Sequence, residues 1–126
     1  MSTRAVDWSI PYGERTPQDL LERSLLGSCL ILGRVPEQTV SPADFSVPQH
    51  AELWSVMAEM AEEKSPLDQI LVLPALDRAG RLDGAGGAAY VSGLVDRVPD
   101  VENLEAYALE VHEAGVKRRW AMRNGC

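Results

Sequence analysis

The stretch GRLDGAGGAAYVSGLVDRVPDVENLEAYALEV, residues 80–111, decides the fold. It holds five glycines in its first fourteen positions and then runs into a helical pattern. A phosphate-cradling loop here would mean a parallel sheet and a nucleotide, whereas a plain turn would mean helices on both sides. A P-loop needs GxxxxGK[ST] between a strand and a helix, because its lysine must reach the phosphates and its hydroxyl must hold magnesium. No such string occurs in the chain. Gly84, Gly86 and Ala89 fit the dinucleotide pattern GxGxxA, but that pattern has to follow a buried strand. Here it follows LDRAGRLD, which reads as helix and turn. The glycines are therefore mechanical. Gly80 closes one helix in the left-handed conformation, and Gly86 and Gly87 permit a tight re-entry and close packing of Tyr90.

Working outward, AAYVSGLV reads as a short helix, and Pro99 with Asp100 restarts the chain into a long one. On that last helix Leu104, Tyr107, Ala108 and Val111 form one apolar face, and Glu102, Glu105, Glu110 and Glu113 lie mostly on the others. Upstream, Asp68 caps a helix over 69–79 that ends at Gly80; Pro74 meets the carbonyl of Ile70, so a kink or a late start is expected. Pro48 opens a helix on which Leu53, Trp54, Met57, Met60 and Ala61 recur at helical spacing before EEKSP ends it. RVPEQTVSPADFSVP, with three prolines in fifteen residues, allows a short helix at about 35–40 and a capped turn from Ser41 and Pro42. Thr16, Pro17 and Asp19 start the first helix with a hydroxyl cap, a proline and an acid at the positive end of the dipole. Leu21, Leu25, Cys29 and Leu32 then make an apolar stripe, widened by Leu20, Leu26, Leu30 and Ile31, with Gly33 at the stop. Only LILGRV and ILVLP compete as strands, and neither alternates. The expectation is an all-α, compact bundle of about five to six helices.

The 126 residues make one ordinary domain, with 45% hydrophobic and 25% charged side chains. Residues 1–15 read as an arm, 16–120 as the helical domain and 121–126 as a tail. No apolar run is long enough for a bilayer, and the N-terminus has no signal-like apolar block, so the expected location is the cytoplasm. Cys29 and Cys126 form no metal or disulfide pattern, and His50 and His112 lack companions at ligand spacing. Neither a metal nor another cofactor is expected, and no small-molecule substrate. The net charge is −7, but Lys117, Arg118, Arg119 and Arg123 stand together without an acid in the last ten residues. Residues 1–115 therefore carry 8 basic against 19 acidic side chains. Such a body repels phosphate backbones.

Asp44 beside Phe45, the only phenylalanine, has two readings. The pair is either a docking surface, or a core plug with an acid that caps the backbone following it; the second is favoured. His50 and Trp54 are one helical turn apart and in reach of each other, but the sequence identifies no carboxylate or nucleophile to make His50 catalytic. Gln69, Asp77, Arg78 and Arg81 read as a solvated face. VKRRWAMR, with Lys117, Arg118, Arg119 and Trp120, has the basic and aromatic mixture of a nucleic-acid or partner contact. It equally suits the negative end of a long helix.

The order of motifs resembles the N-terminal domain of DnaB-type replicative DNA helicases over roughly residues 16–120. The resemblance rests on LLERSLLGSCL, SPADFSVPQHAELWSVM, PLD, GRLDGAGGAAYVSGLVDRVP and NLEAYALEV in that order. It picks out Leu26, Gly27, Asp44, Phe45, His50, Trp54, Gly86, Gly87, Tyr90, Pro99, Asn103 and Tyr107 as mainly structural motif positions. It implies a noncatalytic module for assembly within the primosome, since the family's ATPase is a separate RecA-like domain and its helical hairpin would begin near KRRWAMRNGC. The implied partners are the chain itself as a dimer or higher oligomer, a replicative helicase, primase or a helicase loader, with direct DNA binding weak or absent. Two other roles fit the same residues: a free-standing phage or mobile-element modulator of a host helicase, and a small helical DNA-binding protein that uses the basic tail.

Overall fold

Thr16 sets the first helix in place: its Oγ1 accepts the backbone N–H of Asp19 at 3.0 Å, and Pro17 follows where no N–H is needed. The helix, α1 (Pro17–Leu32), stops at Gly33, whose φ of 74° lets its own N–H return to the Cys29 carbonyl at 2.8 Å. This computed structural model describes residues 16–124; the expected arm, 1–15, lies outside the described residues.

After α1 come the 3₁₀ turn η1 (Pro42–Asp44), α2 (Pro48–Glu62), α3 (Val72–Arg78) and α4 (Ala88–Gly93). The 3₁₀ turns η2 (Leu94–Arg97) and η3 (Val101–Asn103) then lead into α5 (Leu104–Arg123). Five α-helices and no strand are found among the described residues, so the all-helical expectation holds.

The core forms around α1. Leu25, Leu26, Cys29 and Leu30 are fully buried, with α2 on one side and α5 and η2 on others. Leu53 and Met57 come from α2, Val72 and Leu76 from α3, and Leu104, Ala108 and Val111 from α5. Each large apolar side chain so buried contributes about 1.5–3 kcal/mol relative to exposure. Gly27 lets the chain close over α1: a Cβ there would lie 2.5 Å from the Leu94 carbonyl oxygen and 2.5 Å from Val98 Cγ2. The outer part of the expected α1 stripe is not core, since Leu20, Ile31 and Leu32 are exposed.

Two expectations change in detail. No helix forms at 35–40: Pro36 disfavours helical backbone at Val35, and the Glu105 carboxylate holds the loop by accepting the N–H groups of Glu37 (2.9 Å) and Gln38 (3.2 Å). Trp54 holds the end of the same loop through its indole N–H to the Val40 carbonyl at 3.0 Å. The helix expected over 69–79 starts late. Asp68 Oδ1 accepts the N–H groups of Ile70 and Leu71, α3 begins at Val72, and Pro74 thus falls in the first turn, where its missing donor costs nothing. Among the described residues no helix is long and apolar enough to cross a membrane.

The glycine cluster turns the chain. Gly80, Gly86 and Gly87 all have positive φ, and a Cβ on Gly86 would meet the Tyr90 ring at 2.7 Å. Gly87 stands at the N-cap of α4, and no strand precedes it.

Candidate functional site

The most concentrated polar chemistry lies inside the domain. Glu22 sits on α1 among leucines and is fully buried. Its Oε2 accepts Gln18 Nε2, Ser46 N and Ser46 Oγ, each at 2.8 Å, and its Oε1 accepts Val47 N at 3.3 Å and His50 Nδ1 at 2.8 Å. Burial pushes the Glu22 carboxyl up, but the bonds from His50, Ser46 and Gln18 together outweigh it and hold the group below its ordinary range. Because the carboxylate can only accept, His50 Nδ1 donates to it, and Nε2 on the other side of the ring lies 2.6 Å from the Tyr90 hydroxyl. Asp19 Oδ1 lies 3.6 Å from the same nitrogen, and Arg23 lies 3.9 Å from Asp19 and over the Tyr90 ring. This network joins the start of α1 to α2 and α4.

A carboxylate, an imidazole and a hydroxyl in line are the parts of a proton relay. His50 and Glu22 are 0% exposed, however, so no substrate atom reaches them, and the arrangement is structural. The carboxylate partner that the sequence left unidentified for His50 is Glu22. One signal for it was present, an acid three and four residues before Leu25 and Leu26 within an apolar stripe, where an acid is tolerated only with buried partners. Phe45 packs against both His50 and Trp54, at 6.4 and 5.5 Å between ring centroids.

Asp44 is the hub of a second cluster and is nearly as buried as Glu22. It caps the preceding backbone instead of the following one: Oδ2 accepts Ser41 N at 3.0 Å, because η1 doubles back over its own start. Oδ2 also receives His112 Nδ1 at 3.0 Å, and Oδ1 pairs with Arg119 at 2.8 Å. Burial raises the Asp44 carboxyl, and the bonds from Ser41, His112 and Arg119 more than reverse it, so the group titrates below its ordinary value. The backbone joins in as well. Arg118 donates to the Asp44 carbonyl at 2.7 Å and Arg119 to the Ala43 carbonyl at 2.9 Å. Gly115 admits this contact, since a Cβ there would lie 2.5 Å from Asp44 Cα.

Of the four contact candidates on α5, Arg118 and Arg119 are thus turned onto η1, and Lys117 and Trp120 are exposed. Leu109, Val116 and Trp120 are 43%, 44% and 60% exposed and follow at steps of seven and four. That spacing places them within about 60° on one side of the helix. This apolar stripe lies on the surface of the longest helix in the domain. On another side of α5, a cleft of about 610 Å³ opens between the start of α1, the entry to α2 and α5, with Val47, Pro48, Ala114, Lys117 and Arg118 on its walls. Pro99 and Asn103 stand exposed before α5, Tyr107 is half-buried, and the capping bond there is donated by the Glu102 N–H to Asp100 Oδ1 at 2.9 Å.

Among the described residues no cluster of three or more His, Cys, Asp or Glu is arranged to hold a metal. Burial pushes the Cys29 thiol up to about 12, which removes the thiolate a nucleophile requires.

The model for the DnaB-like helicase N-terminal domain matches residues 16–113. The replicative DNA helicase DnaB of Geobacillus stearothermophilus is 32% identical over 113 residues, covering 86% of this chain and 25% of that helicase. Its counterpart in Mycobacterium leprae is 35% identical over 120 residues, covering 91% and 20%. The chain therefore spans a fifth to a quarter of the length of these relatives. The crystal structure of the N-terminal domain of DnaB helicase from Mycobacterium tuberculosis superposes with a TM-score of 0.74 at 30% identity, over 84% of this chain and 79% of that one. A DnaB-like replicative helicase, described with its interactions with primase, superposes at 0.66 and 23% identity over 80% of this chain and 24% of its own, a likeness of fold.

Proposed function

The chain belongs to the family of DnaB-like helicase N-terminal domains, and from that premise we propose that it is a noncatalytic assembly module of a replicative DNA helicase. It pairs with further copies of itself and docks primase, a loader or the helicase body, and it works in the cytoplasm on replicating DNA without gripping the DNA itself. The unit that does this is the helical domain from residue 16 to about 120. The 126 residues carry no GxxxxGK[ST] string, so the work of this module is contact rather than ATP hydrolysis.

The observation that carries the reading is the stripe of Leu109, Val116 and Trp120 on α5. Three large apolar side chains in one line along a surface helix are the seam through which helices pair. The reading gains support from a DnaB-like helicase of the same fold that is described with primase interactions. The nucleic-acid alternative is weakened, because Arg119 is paired with the Asp44 carboxylate and both Arg118 and Arg119 spend donors on η1.

Sedimentation equilibrium of the native chain beside Val116→Glu with Trp120→Glu tests it. Both positions are exposed, so the fold survives the change. The proposal expects a dimer or higher species that the double variant abolishes, and a native chain that stays monomeric at 100 µM and above, roughly the range of weak specific pairing, would remove its support.

A further inference from the structure

We propose that Arg118 and Arg119 clamp the last two turns of α5 onto η1, and that this clamp sets the geometry of the face α5 offers to a second copy. The part about the second copy rests on the pairing reading above; the clamp itself does not.

α5 has two unlike halves. Up to Gly115 it is held by burial, through Leu104, Ala108, Val111 and Gly115 itself. Beyond Gly115 it buries no residue: Val116, Lys117, Trp120, Met122 and Arg123 are exposed, and Arg118, Arg119 and Ala121 are half-buried. What ties this half down is polar. Arg118 Nη2 reaches the Asp44 carbonyl at 2.7 Å, and Arg119 Nη1 reaches both the Ala43 carbonyl at 2.9 Å and Asp44 Oδ1 at 2.8 Å. The η1 side of the clamp is rigid, because Asp44 is also gripped by Ser41 N and His112 and packed under Gly115. The α5 side can let go without exposing core. An element held by charge-assisted hydrogen bonds at its surface opens at lower free energy than the helices of the core. Val116 and Trp120, two of the three stripe residues, lie in this releasable half. Their position relative to Leu109 therefore depends on the clamp.

Hydrogen exchange of the full chain tests this, in the native protein, in Arg118→Ala with Arg119→Ala, and in Arg119→Lys, which keeps the charge on a shorter side chain without the planar guanidinium. In the double alanine variant the amides of residues 117–121 are expected to exchange at least about tenfold faster, with those of α1 and α2 unchanged, and Arg119→Lys should fall between. Unchanged exchange at 117–121, or equal acceleration across α1 and α2, overturns the clamp. Sedimentation of the same samples reads the second half: pairing should weaken at least about fivefold in the double variant. A native chain that does not pair overturns the clamp's role in pairing, and the exchange data still decide whether the clamp exists.

Discussion

Glu22 and His50, 28 positions apart in the chain, lie 2.8 Å apart in a fully buried pair that joins α1 to α2. Glu22 also receives the N–H groups of Ser46 and Val47, so one carboxylate fixes the chain immediately before α2. Glu22→Gln places an NH₂ group among donors and is expected to cost about 2–4 kcal/mol in urea unfolding. A loss below about 0.5 kcal/mol, the usual range for surface substitutions, would show that the network contributes little.

The acid limb of the stability profile follows from two carboxyls. Glu22 and Asp44 both titrate below their ordinary values of 4.5 and 3.8. The unfolded chain thus binds protons more readily than the folded one, and the contribution of these groups is full above the ordinary values and lost as pH falls through the lowered ones. The thermal midpoint should be flat from about pH 7 to about pH 5 with respect to these two groups and fall steeply below. Glu22→Gln should shallow that fall, and a variant with the native slope would contradict the assignment.

Gly27 and Gly115 are places where chain meets chain. Gly27→Ala drives a methyl into the Leu94 carbonyl, and Gly115→Ala drives one into Asp44. Each is expected to lower stability by about 1–3 kcal/mol through overpacking, despite the better helix propensity of alanine. Thermal unfolding of the two variants measures this. A gain in stability at either site would mean that the close approach is not maintained.

Fluorescence anisotropy with a labelled single-stranded oligonucleotide checks the basic end of α5. With Arg118 and Arg119 engaged on η1 and an acidic body behind them, binding at 150 mM salt is expected to be weaker than about 100 µM. Micromolar affinity that falls steeply with salt would favour the nucleic-acid role instead.

Much of the fold was legible because its signals are local. Thr16 and Pro17 start α1, Gly33 and Gly80 mark left-handed turns, and Gly86 makes room for Tyr90, all as their residue types require. What escaped was long-range. Nothing near Glu105 announces that it would take two amides 67 and 68 positions away and hold the loop at 35–40. Arg118 and Arg119 read as a free basic patch because their acceptors lie on η1, 74 and 76 positions earlier. Asp19 is the first-turn acid expected of it, but its burial beside His50 could not be read from the sequence. The exposed stripe on α5 was hidden for a related reason: only the packing of Leu104, Ala108 and Val111 into the core shows that Leu109 and Val116 face away from it.

The role proposed for this domain is contact with other replication proteins. Sedimentation velocity of the purified chain, alone and mixed with the primase of its own cell, measures that contact directly. A contact module should give a boundary faster than that of a 13.8 kDa monomer in the chain alone, and a further boundary containing both proteins in the mixture. A single monomer boundary in both samples, at concentrations up to about 100 µM where micromolar complexes are populated, would contradict it.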